Sequence, residues 1–220
     1  MRSSALPGFL PSSAGFRFAN RWPAGPAFEL HARYVRLGIG EVADGLCGGM
    51  CFAVADRYLE ARGIPLDTAA PAAGSPLFRE IARRQLDSLD HLVRVPARFW
   101  LAAARVASGR WSAADQVREW RALCADLDAG RPAMAGLVRS AGVNPFGLTA
   151  NHQVLGFACE AEADRARLRI YDPNHPGDDD VALVIGLDRT GPRPLVSLGQ
   201  TTGEPLLALL RLPYQPSVRS

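Results

Sequence analysis

The chain has 220 residues, enough to bury a substantial core as one domain or two closely packed subdomains. Its 48% hydrophobic and 21% charged content is that of an ordinary globular protein. All 25 basic residues are arginines, scattered among 22 acidic residues with no basic run and a net charge of only +3, so nucleic-acid binding has no support. No segment approaches the ~18 consecutive apolar residues of a membrane helix.

Residues 1–27 are rich in Pro, Gly, Ser and Ala with scattered aromatics (Phe9, Phe16, Phe18, Trp22), which predicts an irregular segment lying over a groove. This segment lacks the apolar core of ~7 residues that a secretory signal needs, so the cytoplasm is the expected compartment. Phe28 to Ile39 reads as a strand or extended lead-in. A glycine-rich junction follows, then a helix of roughly Gly49 to Gly63, stopped by Gly63-Ile64-Pro65. Pro76 opens a second helix through Leu89, a third runs from Pro96 to Val106, and a fourth from Ser112 or Ala113 to Gly130.

After Gly130-Arg131-Pro132 the pattern becomes short apolar runs separated by turns: 133–138, 153–159, 168–171, 181–185, 195–198 and 206–212. Such spacing predicts an antiparallel sheet or partial barrel. The expected organisation is α+β: an irregular segment 1–27, a mainly helical subdomain 28–130, and an antiparallel β subdomain 131–220.

Candidate chemistry starts at Asp44-Gly45-Leu46-Cys47-Gly48-Gly49-Met50-Cys51. The glycines keep the backbone loose, and the apolar residues from Met50 onward read as a buried helix. A cysteine at a loop-to-helix junction sits in the positive field of the helix N-terminus, which favours the thiolate. Alone, Cys47 and Cys51 read as small buried hydrophobes, as do Cys124 and Cys159. A structural zinc site is not expected, because no matching Cys or His pair lies near Cys47 and Cys51. Disulfides are not expected in a cytoplasmic chain.

His152 opens a buried strand in Asn151-His152-Gln153-Val154-Leu155, and Asp172-Pro173-Asn174 closes the next one. If these strands are antiparallel neighbours, His152 and Asp172 share one rim of the sheet, where an aspartate can orient an imidazole toward a nucleophile. The stretch from Asp172 to Asp180 partly matches a calcium loop, but it lacks the fifth-position ligand and has Leu183 where the bidentate acid belongs. It is therefore read as an acidic hairpin loop, and no metal or cofactor is expected.

Taken together, Cys47-Gly-Gly-Met-Cys-Phe-Ala before a helix, Gly130-Arg131-Pro132, the strand-initial His152 and Asp172-Pro173 resemble the papain-like cysteine peptidases. The motifs look closest to the bacterial double-glycine (bacteriocin-processing) type and span roughly residues 41 to 185. The resemblance implies a papain-like fold, with Cys47 as nucleophile, His152 as base and Asp172 as orienting acid. Asn174, Gly48 and Asn151 are further orienting or oxyanion candidates. Two positions depart from the pattern. Glu41 stands where the superfamily commonly has a glutamine that binds the oxyanion, and an ionised carboxylate cannot donate that bond. Papain's own motif would align Cys51 with the nucleophile, but only the terminal turn of a helix offers free N–H groups, which favours Cys47. The expected function is a thiol hydrolase, a peptidase or amidase acting on a peptide or amide substrate through an acyl-enzyme. An acyltransferase or transglutaminase-like enzyme uses the same residue types, and a non-catalytic papain-like binding module is the alternative of a different class. The sequence leaves the oligomeric state open.

Overall fold

In the computed structural model, residues 2–23, 25–32, 35–41, 45–142, 151–162, 164–188 and 195–217 are described. The chain opens with a short strand β1 (Arg2–Ala5) and one turn of helix α1 (Pro11–Ala14), followed by an antiparallel pair, β2 (Pro26–Ala32) and β3 (Val35–Glu41). Four helices come next: α2 (Cys47–Leu59), α3 (Pro76–Ser88), α4 (Asp90–Ala107) and α5 (Ala113–Asp128). Six strands complete the chain: β4 (Ala133–Val138), β5 (His152–Ala161), β6 (Arg165–Tyr171), β7 (Ala182–Asp188), β8 (Leu195–Gln200) and β9 (Ala208–Arg211).

The α+β expectation corresponds to what is observed: helices precede an antiparallel sheet in order β8-β7-β6-β5-β4-β9. β5 is the strand on which the rest converge. It pairs with β6 along one side, while β4 and then β1 occupy the other, with Leu137 opposite His152 and Ala5 opposite Ala158.

Local chemistry explains most element boundaries. Ser75 caps α3 by accepting from Phe78 N–H at 3.2 Å, with Pro76 in the first turn. Ser112 and Asp115 form a reciprocal capping box on α5. α2 has buried residues without interruption from Gly48 to Asp56, so it is a core helix rather than a surface one. The α4 boundary differs from the sequence expectation. The helix begins at Asp90, six residues before Pro96, and takes Pro96 into its body. Asp90 has φ +47, a left-handed residue that breaks the path between α3 and α4 where the sequence carries no glycine or proline.

Segment 1–27 is ordered by its partners rather than by its own propensities. β1 pairs with β5, and Leu6 N–H continues that contact to Phe157 O at 2.8 Å. Phe9, Phe16, Phe18 and Trp22 are buried, with Phe16 stacked on Phe18. Asp179 accepts from Ser12 N–H at 2.8 Å and from its hydroxyl at 2.6 Å, so the acidic loop fastens this strap. Within the irregular segment expected from composition lie a four-residue strand, a four-residue helical turn and a set of core aromatics. The expectation for Cys124 and Cys159 is corrected: a disulfide joins them and ties α5 to β5.

Candidate active site

The packing of α2 on β5 brings the first turn of a buried helix to the first residues of a buried strand. Cys47 is the first residue of α2. Its thiol lies close enough to the His152 side chain and to the backbone N–H groups of Gln153 and Gly48 for their charge and donor capacity to lower its pKa. His152 Nε2 lies 2.7 Å from Asp172 Oδ1, leaving Nδ1 as the ring nitrogen for Cys47. Asp172 follows the last residue of β6, and Leu155 pairs with Tyr171, so β5 begins at the sheet end where β6 finishes. The structure brings Cys47, His152 and Asp172 together in one row, with the His152–Asp172 hydrogen bond at its buried end.

The charges follow from that row. Burial alone pushes the Cys47 thiol up, but the adjacent His152, by charge and hydrogen bond, and the two backbone N–H groups bring it below its ordinary value. Burial disfavours the His152 imidazolium, yet the Cys47 and Asp172 contacts outweigh it and hold the imidazolium above its ordinary range. Burial likewise opposes the Asp172 carboxylate, and His152 together with Asn174 N–H keeps it below the usual carboxylate range. These shifts move the pair in the direction of a thiolate and an imidazolium, backed by a carboxylate.

Cys51 lies one turn farther along. It is fully buried, its thiol donates to Gln153 O at 3.5 Å, and burial followed by the neighbouring Cys47 and Asp172 charges pushes its thiol well up. Of the two sulfurs, Cys47 alone combines partial exposure with a depressed pKa.

The remaining candidates fall around the row. Gly48 is the second residue of α2 and supplies an N–H to the thiol. Asn174 is exposed, and its backbone N–H donates to Asp172 Oδ1 at 2.8 Å, so Asp172 and not the Asn174 side chain faces His152. Asn151 Oδ1 accepts from Arg139 N–H at 3.2 Å, which fixes the end of β4 rather than His152. Glu41 ends β3, and its side chain lies outside the described residues. Strand alternation turns the Gln153 side chain away from the His152 ring. It lands on the nucleophile helix, however, where a Cβ on Gly48 would come within 2.8 Å of Gln153 Nε2.

Two polar residues at this site carry no sequence motif. Gln200, at the end of β8, donates from Nε2 to Asp172 Oδ2 at 2.9 Å and accepts from Arg139 at 3.0 Å. Asp172 therefore has both carboxylate oxygens engaged. Asn20, in the N-terminal strap, donates its backbone N–H to Pro173 O at 2.9 Å, and its Oδ1 accepts from Leu46 N–H at 2.7 Å. It joins the aspartate loop to the residue before the nucleophile. A buried glutamine closing a strand was the only signal for Gln200. For Asn20, the Phe16-Phe18-Trp22 aromatic cluster marked a buried segment but not a site.

Among the described residues, no group of three or more His, Cys, Asp or Glu side chains is arranged to hold a metal ion. No helix among the described residues is long and apolar enough to cross a membrane. No protein-family model, curated protein or solved structure matches the chain.

Proposed function

We propose that this protein is a papain-like thiol hydrolase, a peptidase or amidase that works through an acyl-enzyme on Cys47. The observation that carries this reading is the row Cys47–His152–Asp172, with the sulfur at a helix N-terminus and the imidazole 2.7 Å from a fully buried carboxylate. The Cys47 thiolate attacks the carbonyl carbon of a peptide or amide. His152 then gives its proton to the departing amine as the tetrahedral intermediate collapses to a thioester. A water molecule loses a proton to His152, attacks the thioester, and releases the acid with the thiolate restored. Asp172 keeps the ring oriented and stabilises the imidazolium throughout.

The Cys124–Cys159 disulfide stands against the expected cytoplasmic compartment, because disulfides persist in oxidising compartments. The compartment reading is tested separately, by the redox state of that pair in the native protein.

The reading of the site is tested by acylation with p-nitrophenyl acetate, an activated ester that needs no recognition pocket. The wild type should release a burst of nitrophenol and carry an acetyl group on Cys47, whereas Cys47→Ala should give neither and His152→Ala a much slower burst. Adding a primary amine separates two related chemistries: hydrolysis leaves acetate, and acyl transfer leaves the amide. A wild-type chain that never carries acetyl on Cys47 would contradict the proposal.

A further inference from the structure

Acyl transfer places negative charge on the carbonyl oxygen, and that charge requires donors fixed before it forms. The first turn of α2 offers Cys47 N–H, for which a helix has no partner of its own. A second donor is needed, and Glu41, when ionised, cannot supply one.

The Asn20 amide has the required chemistry and is already locked in orientation. Its oxygen accepts two N–H groups, Leu46 N–H at 2.7 Å and Trp22 Nε1 at 2.9 Å. Two donors can meet only the oxygen end of an amide, so the side chain cannot be reversed. Nδ2 therefore points the other way and makes no hydrogen bond among the described residues. It rests on Gly45, two residues before the nucleophile, where an added Cβ would come within 2.6 Å of it. Gly45 has φ +94, so glycine there serves both a left-handed turn and the close approach of this amide. The backbone N–H of Asn20 is spent on Pro173 O, which anchors the same residue to the aspartate loop.

We propose that Asn20 Nδ2, together with Cys47 N–H, binds the oxyanion during acylation of Cys47, making Asn20 a catalytic residue supplied by the N-terminal strap. This rests on the thiol acyl-transfer reading given above.

The test compares two reactions at the same sulfur. Alkylation by iodoacetamide displaces iodide and forms no oxyanion, whereas acylation by p-nitrophenyl acetate does. Asn20→Asp keeps the oxygen that holds Leu46 N–H and Trp22 Nε1 but removes the Nδ2 donor. The ratio of acylation to alkylation rates, which cancels changes in thiolate fraction, should fall by about 10²–10³-fold. A merely structural role would slow both reactions together and leave the ratio within about twofold of wild type, which would overturn the assignment while leaving the hydrolase reading intact. If Asn20→Asp does not fold, Asn20→Ser removes the amide and is read by the same ratio. A wild-type Cys47 that alkylates but is never acylated would overturn both proposals.

Discussion

At the scale of single residues, Asp172 is the group whose surroundings are most demanding. It is fully buried, and His152, Asn174 N–H and Gln200 Nε2 all converge on its two oxygens. Replacing Gln200 with Leu leaves one buried oxygen without a donor and strips Arg139 of an acceptor. The expected cost is about 1–3 kcal/mol in urea unfolding at neutral pH. Asp172→Asn should slow acylation on the order of 10²–10⁴-fold, because the amide no longer stabilises the imidazolium or fixes the ring. The pH dependence of stability has a definite sign. The folded pKa of Asp172 is depressed, so its stabilising contribution is present above the ordinary carboxylate pKa of ~3.9 and is lost as pH falls through the folded value. The stability gap between wild type and Asp172→Asn should therefore shrink in acid. A gap that widens there would contradict the assignment. Cys47, His152 and Asp172 could be nominated from the sequence because each sits at an element terminus beside a recognisable motif. Gln200 could not, because its place beside Asp172 depends on β8 lying two strands away from β6 at the same end of the sheet.

At the scale of elements, the start of α2 holds the main lesson. In the sequence, Gly48 and Gly49 read as backbone kept loose at the junction, with the helix starting at roughly Gly49. Both lie inside the helix, and the glycines serve close packing instead. A Cβ on Gly49 would stand 2.2 Å from Ile81 O and 2.9 Å from Gln85 N in α3, and Gln85 Oε1 accepts the otherwise open Gly49 N–H at 2.7 Å. Alanine at position 49 would gain roughly 1 kcal/mol in helix propensity. It would also force α3 away against backbone atoms, and overpacking costs about 1–3 kcal/mol or more. The net effect of Gly49→Ala should be destabilising, read as a lower midpoint in urea with α2 displaced from α3. A neutral or stabilised variant would show that the contact is softer than the geometry indicates. Sequence periodicity exposes a helix but not its neighbour, so a glycine required by an adjoining backbone looks the same as one required by a loop. β1 was missed for a related reason. Four residues with two serines have little strand propensity, and their pairing with Ala158 to Ala161 supplies the order.

At the scale of the whole molecule, two ties hold the site's framework. The Cys124–Cys159 bridge spans 35 residues and joins α5 to β5, the strand that begins with His152. Loop-closure arithmetic for that span gives about 3–4 kcal/mol of stabilisation. The double variant Cys124→Ala/Cys159→Ala should lose about that much in denaturant unfolding while leaving Cys47 alkylation unchanged, since the bridge lies at the far end of β5 from His152. Loss of Cys47 reactivity in a folded double variant would tie the bridge to the site directly. The second tie is the N-terminal strap, which runs from β1 past Tyr171 to Asn20 and binds both the aspartate loop and Leu46. The broad division into helices followed by an antiparallel sheet was legible from hydrophobic periodicity and turn residues. The strap and the bridge were not, because each depends on contacts between residues far apart in the chain.

The most direct test of an activated Cys47 is its alkylation by iodoacetamide as a function of pH, with the modified residue mapped by mass spectrometry. Cys47 should be modified first, with an apparent pKa below the free-thiol value of ~8.5, and Cys51 should stay unmodified in the folded protein. His152→Ala should raise the apparent pKa of Cys47, because it removes the charge and hydrogen bond that hold it down. Labelling of Cys47 only at or above ~8.5, or preferential labelling of Cys51, would contradict the account.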